Sequence, residues 1–380
     1  MIYFDNSATT RTSDAVAKSI YDNLTNDELF GNPGSLHKLG MTAGNKYNEI
    51  TADIAKNLGC KNTEIIYTSC GTEGTNTAIL GYLSKNQRAG KTIISTNTEH
   101  KATLETLGHI AKQGYNVVYL KVDNAGKPDL TALEEELAKG DTAMLCFTHV
   151  NNETGSVLPI EDIMKIKNKV SPKTVVFLDC VQSLGKLEIN LAKLGVDMAS
   201  FSGHKIHGVK GVGVLYIKTN VRIDPFIRGG GQQSGLRSGT QSLMLAESFA
   251  VALKEAVSAR ADAFERVSQI NAYLREELTK RGATINSPED GLPFVLNVAF
   301  DGFQSETMLH ALESFGVYVS TVSACSSKTK KPSYVLLEMG IDRKIAANSV
   351  RLSFSRYNTM DEAKEFIAIV DKVYDMYLVR

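Results

Sequence analysis

The chain has 380 residues, 43% of them hydrophobic and 22% charged, the composition of an ordinary folded protein. At ~100–200 residues per domain this length points to two or three domains. The 42 basic side chains against 42 acidic ones exclude the basic surplus of a protein devoted to nucleic acid. No stretch approaches the ~18 unbroken apolar residues of a membrane helix. The N-terminus MIYFDNSATT lacks the basic and apolar regions of a signal peptide, so the cytoplasm is the expected compartment. Five cysteines, an odd number with no Cys-x-x-Cys pair, argue against a disulfide framework or a structural zinc site.

In chain order, short apolar runs predict strands over Glu64–Thr68, Thr92–Thr96, Asn116–Lys121, Ala143–Thr148, Thr174–Asp179, Met198–Phe201 and Gly213–Ile217. Helical patterns fill the gaps, for example Ala132–Ala138 and Ile160–Lys169. Strands apolar on both faces and separated by helices imply an α/β domain with a mostly parallel sheet covered on both sides. A long amphipathic segment, Ser248–Arg281, stops at Gly282. A strand over Phe294–Phe300, a helix over Glu306–Phe315, a strand over Val350–Phe354 and a closing helix over Met360–Tyr377 complete a smaller α+β domain. With no linker in between, the break near residue 250 is expected inside a helix.

Ligands of open α/β sheets bind beyond the carboxyl ends of the strands. The first predicted strand is followed by a small-residue turn, Ser69 to Asn76, that opens a helix whose free N–H groups favour a phosphate. The next strands deliver Glu99-His100-Lys101, then Asn151-Asn152-Glu153, then Asp179 with Gln182 behind it, then Ser202-Gly203-His204-Lys205. Singly, each has a bland reading: Asp179 as a helix cap, Lys205 as a solvated charge. Gly203–Lys210 almost spells a P-loop, but its lysine is one place late and no Ser or Thr follows. His204 and His207 have no companion ligands at a recognisable spacing, so no metal is expected. Together, a phosphate cradle, an acid and a lysine on one rim match the needs of pyridoxal 5'-phosphate. The lysine carries the cofactor, and the acid keeps its ring nitrogen protonated so that the ring takes up electrons.

The segments FDNSATT, FGNPGSLH, YTSCGTEGTN, TEHKA, HVNNETG, LDCVQSLGK, SFSGHKIHGVKGVG, GGGQQSGLRSGTQ, SACSSKTKKPSYVLLEMG and SVRLSFSRYNT run in order from end to end. In them the chain resembles the bacterial cysteine desulfurases, class V aminotransferase-like enzymes of the iron–sulfur-cluster and nitrogen-fixation branch. The resemblance implies an aspartate-aminotransferase-like fold. Residues 16–250 form its large domain, and residues 1–15 join 251–380 in the small one.

The resemblance also assigns roles. Lys205 carries the cofactor and moves the substrate's α-proton, and His100 stacks on the ring. Asp179 pairs with the ring nitrogen, Gln182 meets the ring oxygen, and Asn152 contacts cofactor and substrate. Gly71, Thr72, Ser202 and His204 hold the phosphate. Thr240 reaches the phosphate of a neighbouring subunit, which implies a homodimer. Arg351 binds the carboxylate of L-cysteine. Cys325 is the nucleophile that takes the sulfur as a persulfide, then hands it to an iron–sulfur scaffold or a tRNA- or cofactor-thiolation protein.

Departures from the commoner pattern are Cys70, Cys180 and Gln232-Gln233-Ser234. The basic residues Lys328, Lys330 and Lys331 suggest an acidic acceptor surface. A selenocysteine lyase or an aminotransferase on the same fold would share Lys205 and Asp179 without needing Cys325. A nucleotide-binding α/β protein using the Cys70–Asn76 turn, or a catalytically dead scaffold, would carry no coloured cofactor.

Overall fold

The computed structural model describes residues 1–321 and 332–377. The first half contains β1 (Ile2–Tyr3), α1 (Asp14–Leu24), α2 (Lys38–Leu58), β2 (Ile65–Thr68), α3 (Gly71–Lys85), β3 (Thr92–Thr96), α4 (Lys101–Ala111), β4 (Asn116–Leu120), α5 (Leu130–Ala138), β5 (Thr142–Thr148), α6 (Ile160–Val170) and β6 (Val175–Asp179). There follow α7 (Leu191–Leu194), β7 (Met198–Ser202), β8 (Gly213–Ile217), α8 (Leu243–Ser258), α9 (Arg260–Lys280), β9 (Thr284–Ile285), β10 (Val295–Ala299) and α10 (Ser305–Ser314). The chain closes with β11 (Val317–Tyr318), β12 (Ser320–Thr321), α11 (Tyr334–Glu338), α12 (Arg343–Ala347), β13 (Ser349–Ser353) and α13 (Met360–Tyr377). No helix among the described residues is long and apolar enough to cross a membrane.

Seven strands form the central sheet, in the order β2-β8-β7-β6-β5-β3-β4. The five from β7 to β4 run parallel, and β8 runs antiparallel to both of its neighbours. Side chains alternate between two cores, as a pleated strand requires. Leu145, Phe147, Val176 and Leu178 face α2, α5, α6 and α8, whereas Met144, Cys146, Val175 and Phe177 face α3 and α4. Because both faces are covered, these strands read in the sequence as unbroken apolar runs. A four-stranded sheet, β12-β13-β10-β9, packs with α9, α10 and α13 around a third core. Ile2 and Phe4 enter this core from the other end of the chain, and β1 pairs parallel to β11.

The amphipathic segment expected as one helix from Ser248 to Arg281 is two helices that meet at Ala259 (φ −89°, ψ −1°). There is no proline or glycine at the joint. The cause is packing: Leu243, Phe249, Ala252, Leu253 and Ala256 lie in the core of the large sheet, while Ala263, Val267, Ile270 and Leu274 lie in that of the small one. A straight rod cannot turn one apolar stripe into two cores. The first of the pair also starts earlier, at Leu243, where the Ser242 hydroxyl accepts from the N–H of Leu245.

Phe4 is fully buried and packs edge-on against Phe354 and Phe366, with ring centroids 5.0 and 5.6 Å away. Phe4→Ala is expected to cost about 3–5 kcal/mol, measured by urea denaturation. A loss below about 1 kcal/mol would contradict the role given to this ring.

Candidate active site

The carboxyl ends of β3, β5, β6 and β7 open onto a cavity of about 520 Å³. Gly71, Thr72, Ser202, His204 and Lys205 line it, together with His100, Asn152, Asp179, Gln182 and Arg351. The structure thus gathers ten of the twelve residues singled out from the sequence. Thr240 lies elsewhere, in a separate concavity with Tyr47, Tyr67 and Arg237. Cys325 lies outside the described residues, but Thr321 before it and Pro332, Ser333 and Tyr334 after it line the cavity.

The turn after β2 brings the start of α3 to the cavity. Its N-cap, Cys70, makes no side-chain capping bond, so the first-turn N–H groups retain their donor character. Glycine at the next position keeps the turn close to its neighbours: a Cβ on Gly71 would lie 2.7 Å from the side chain of Val181 and force it to shift. Facing this turn, the Ser202 hydroxyl is buried and has no hydrogen-bond partner among the described residues. An orphaned buried hydroxyl beside a helix N-terminus is the donor set a phosphate completes.

Lys205 ends the short turn Gly203–Lys205 that follows β7. Its ammonium donates to the carbonyls of Ser7 and Ala8, the latter at 2.8 Å. The neighbouring His204 Nδ1 lies 3.1 Å from Thr9 Oγ1, and burial above all, then Lys205 and Lys210, pushes this imidazole down to about 4.

Asp179 is buried at the end of β6, where Oδ1 accepts from the N–H of Val181 at 2.9 Å. Burial raises its carboxyl above the usual range, and His100 and Lys205 oppose that shift. A buried carboxylate of this kind is stabilised by a cation placed against it, such as a protonated ring nitrogen would supply. His100 caps α4: its Nδ1 accepts from the N–H of Ala102 at 3.1 Å. Burial keeps this ring below its usual imidazole value. In the neutral ring the proton therefore sits on Nε2.

Arg351, in the middle of β13, is held from two sides. Nη2 donates to Asp5 Oδ1 at 2.8 Å and Nη1 to the carbonyl of Asn152 at 3.1 Å, while the buried Nε has no partner among the described residues. The Gln182 amide donates to the carbonyl of Ser7 at 3.0 Å.

Sequence reasoning assigned no role to Asp5, Ser7 and Ala8, although the opening motif contained them. It placed Glu153 at the rim but gave it no role; this side chain lines the cavity and accepts from the Ser333 hydroxyl. Burial pushes this carboxyl up to about 7, against Ser333, Arg351 and Lys101. Nothing in its local pattern distinguishes Glu153 from a solvated acid.

Fold and cavity together define an enzyme of the aminotransferase-like α/β class. The family model for class-V aminotransferases matches residues 2–366, and the chain belongs to that family. Among curated relatives, the NifS/IcsS protein homolog of Lactobacillus delbrueckii is 38% identical, over 99% of this chain and 98% of its own. The cysteine desulfurase IscS of Pectobacterium atrosepticum is also 38% identical, over 98% and 92%. Among solved structures, a NifS-like protein superimposes with a TM-score of 0.93 at 37% identity, covering 99% of both chains. A structure titled SspA in complex with cysteine gives 0.83 at 30% identity, over 94% of this chain and 100% of that one.

Glu153→Gln tests the buried carboxyl. A carboxyl raised from 4.5 to about 7 in the folded state favours folding below pH ~4.5, and that contribution is lost as pH rises toward 7. Relative to the native chain, the glutamine variant is expected to gain up to about 3 kcal/mol between pH 5 and 8, read by denaturant unfolding. A difference that does not change with pH would contradict a raised Glu153.

Proposed function

We propose that the protein is a cysteine desulfurase, which uses pyridoxal 5'-phosphate to convert L-cysteine to L-alanine and holds the sulfur as a persulfide on Cys325. The observation that carries this reading is the convergence of Lys205, Asp179, His100 and the α3 N-terminus on one cavity, with both flanks of the Cys325 segment on its wall. The desulfurase names of full-length relatives support it.

When bound, the cofactor supplies an electron sink for charge released at the substrate's α-carbon. The first turn of α3, with Thr72, Ser202 and His204, would hold its phosphate, and Asp179 would hold its ring nitrogen as a cation. Lys205 carries the cofactor and then moves the α-proton. The Arg351 fork and Asn152 orient the substrate carboxylate. The Cys325 thiolate attacks the substrate's sulfur: the S–S bond forms, the C–S bond breaks, and its electron pair stays on the carbon that becomes the methyl group of alanine after protonation. His100 is placed to deliver a proton from Nε2.

The same proposal covers a homodimer. It is supported by Thr240 lying outside the cavity of its own chain and by the exposed apolar side chains Tyr21, Leu24, Phe30, Leu36 and Met41 within residues 21–41. It also covers a cytoplasmic setting and delivery of sulfur to an iron–sulfur scaffold or a thiolation enzyme. The division at 16–250 against 1–15 plus 251–380 belongs to it as well, supported by the change of core between α8 and α9.

Cys325→Ala is expected to keep the yellow cofactor band and its response to L-cysteine while sulfide and alanine release falls by roughly 10³-fold or more. Lys205→Ala is expected to abolish turnover. Undiminished turnover in Cys325→Ala would remove the persulfide step and favour an aminotransferase or selenocysteine lyase.

A further inference from the structure

Behind the cavity floor stands Lys186, in the turn that follows β6. It is buried, and its ammonium makes one hydrogen bond among the described residues, donated to Gln182 Oε1 at 3.1 Å. The Phe294 ring lies close by, with its centroid 5.9 Å from Nζ. A buried cation with a neutral acceptor and an aromatic face in place of a counter-ion costs several kcal/mol as a rule. Stability alone does not account for such a group.

The geometry gives it a use. An ammonium only donates, so the Gln182 oxygen must face Lys186 and the amide nitrogen must face the other way. One hydrogen of that nitrogen goes to the carbonyl of Ser7 at 3.0 Å, which also accepts from Lys205. The second hydrogen is left for the cavity, which Gln182 lines. The two ends of an amide are nearly equivalent in shape; the Ser7 carbonyl selects the nitrogen end and Lys186 the oxygen end, and without Lys186 only the Ser7 contact holds the orientation. In its protonated form Lys186 also places a positive charge behind Lys205. Burial first, then Lys205 and Arg351, push Lys186 down to about 7. His207 feels Lys186 in turn, and Arg356 and Glu255 flank His207.

We infer that Lys186 is a positioning residue: it locks the Gln182 amide so that its cavity-facing edge is a hydrogen-bond donor to the ring oxygen of the cofactor. The inference rests on the pyridoxal-phosphate reading above. A donor at that oxygen, with a positive charge behind it, favours loss of the proton that the Lys205 linkage carries.

The test is a pH titration of the visible band of cofactor-loaded protein in the native chain, Lys186→Met, Lys186→Arg and Gln182→Ala, with the double variant Lys186→Met/Gln182→Ala. The midpoint in Lys186→Met is expected to rise by roughly one pH unit. Lys186→Arg, which keeps charge and donors, stays within a few tenths of the native value. In the Gln182→Ala background the Lys186→Met shift falls by half or more, because the amide it orients is gone. Lys186→Gln, neutral and without fixed polarity, gives the same rise and serves where the methionine variant does not fold. An unchanged midpoint in Lys186→Met or Lys186→Gln, or a shift undiminished without Gln182, would overturn the inference while leaving the cofactor assignment intact. A native chain that acquires no visible band would overturn that assignment and the inference with it.

Discussion

The site depends on a contact between two distant parts of the chain: the Lys205 ammonium is held by the carbonyls of Ser7 and Ala8. The lysine belongs to the end of the large sheet and the carbonyls to a strap rooted in the small core. Phe4 anchors the strap, the N–H of Ser7 donates to Ser353 Oγ at 2.8 Å, and Asn6 donates to the Ser353 carbonyl at 3.0 Å. Beyond it, the N–H of Thr10 donates to the His204 carbonyl at 3.0 Å. The strap therefore ties β13, which carries Arg351, to the turn that carries Lys205. Asp5, on the same strap, grips Arg351. In the proposed function, this one short segment fixes the spacing between the group that would move the α-proton and the group that would orient the carboxylate. Spacing of this kind is what converts binding into rate.

Charge at the cavity floor follows the same logic. Lys205 and Arg351 line the cavity and both act on the buried Lys186, with Asp5 as the ion-pair partner of Arg351. Burial holds Asp179 and Glu153 toward their neutral forms. In the proposed function, a phosphate, an ionised ring oxygen and a substrate carboxylate are the anions such a surface would accept, and a ring cation is what Asp179 would accept.

Much of this was legible because the central strands are covered on both faces. β3 and β8 fall on the predicted residues, and the other predicted strands of that sheet differ by one residue at an end. The rim residues were legible for the same reason, since each follows a strand end. α1 and α2 were passed over, although Ala43, Tyr47, Ile50, Ile54 and Leu58 repeat at helical spacing and all lie in the core. The split between α8 and α9 has no local signal, because its cause is two separate cores. The Asp5–Arg351 pair joins residues 346 apart in sequence, beyond the reach of any local pattern. Lys186 and Gln182 are only four apart, but they sit in a turn, where that spacing carries no helical meaning.

The central claim is that Lys205 carries the cofactor. It is tested most directly by loading the protein with pyridoxal 5'-phosphate, reducing it with borohydride and mapping the labelled peptide by mass spectrometry. The account predicts one label per chain, on Lys205. A label on Lys101 or Lys186 instead, or none on a protein that stays active, would contradict it.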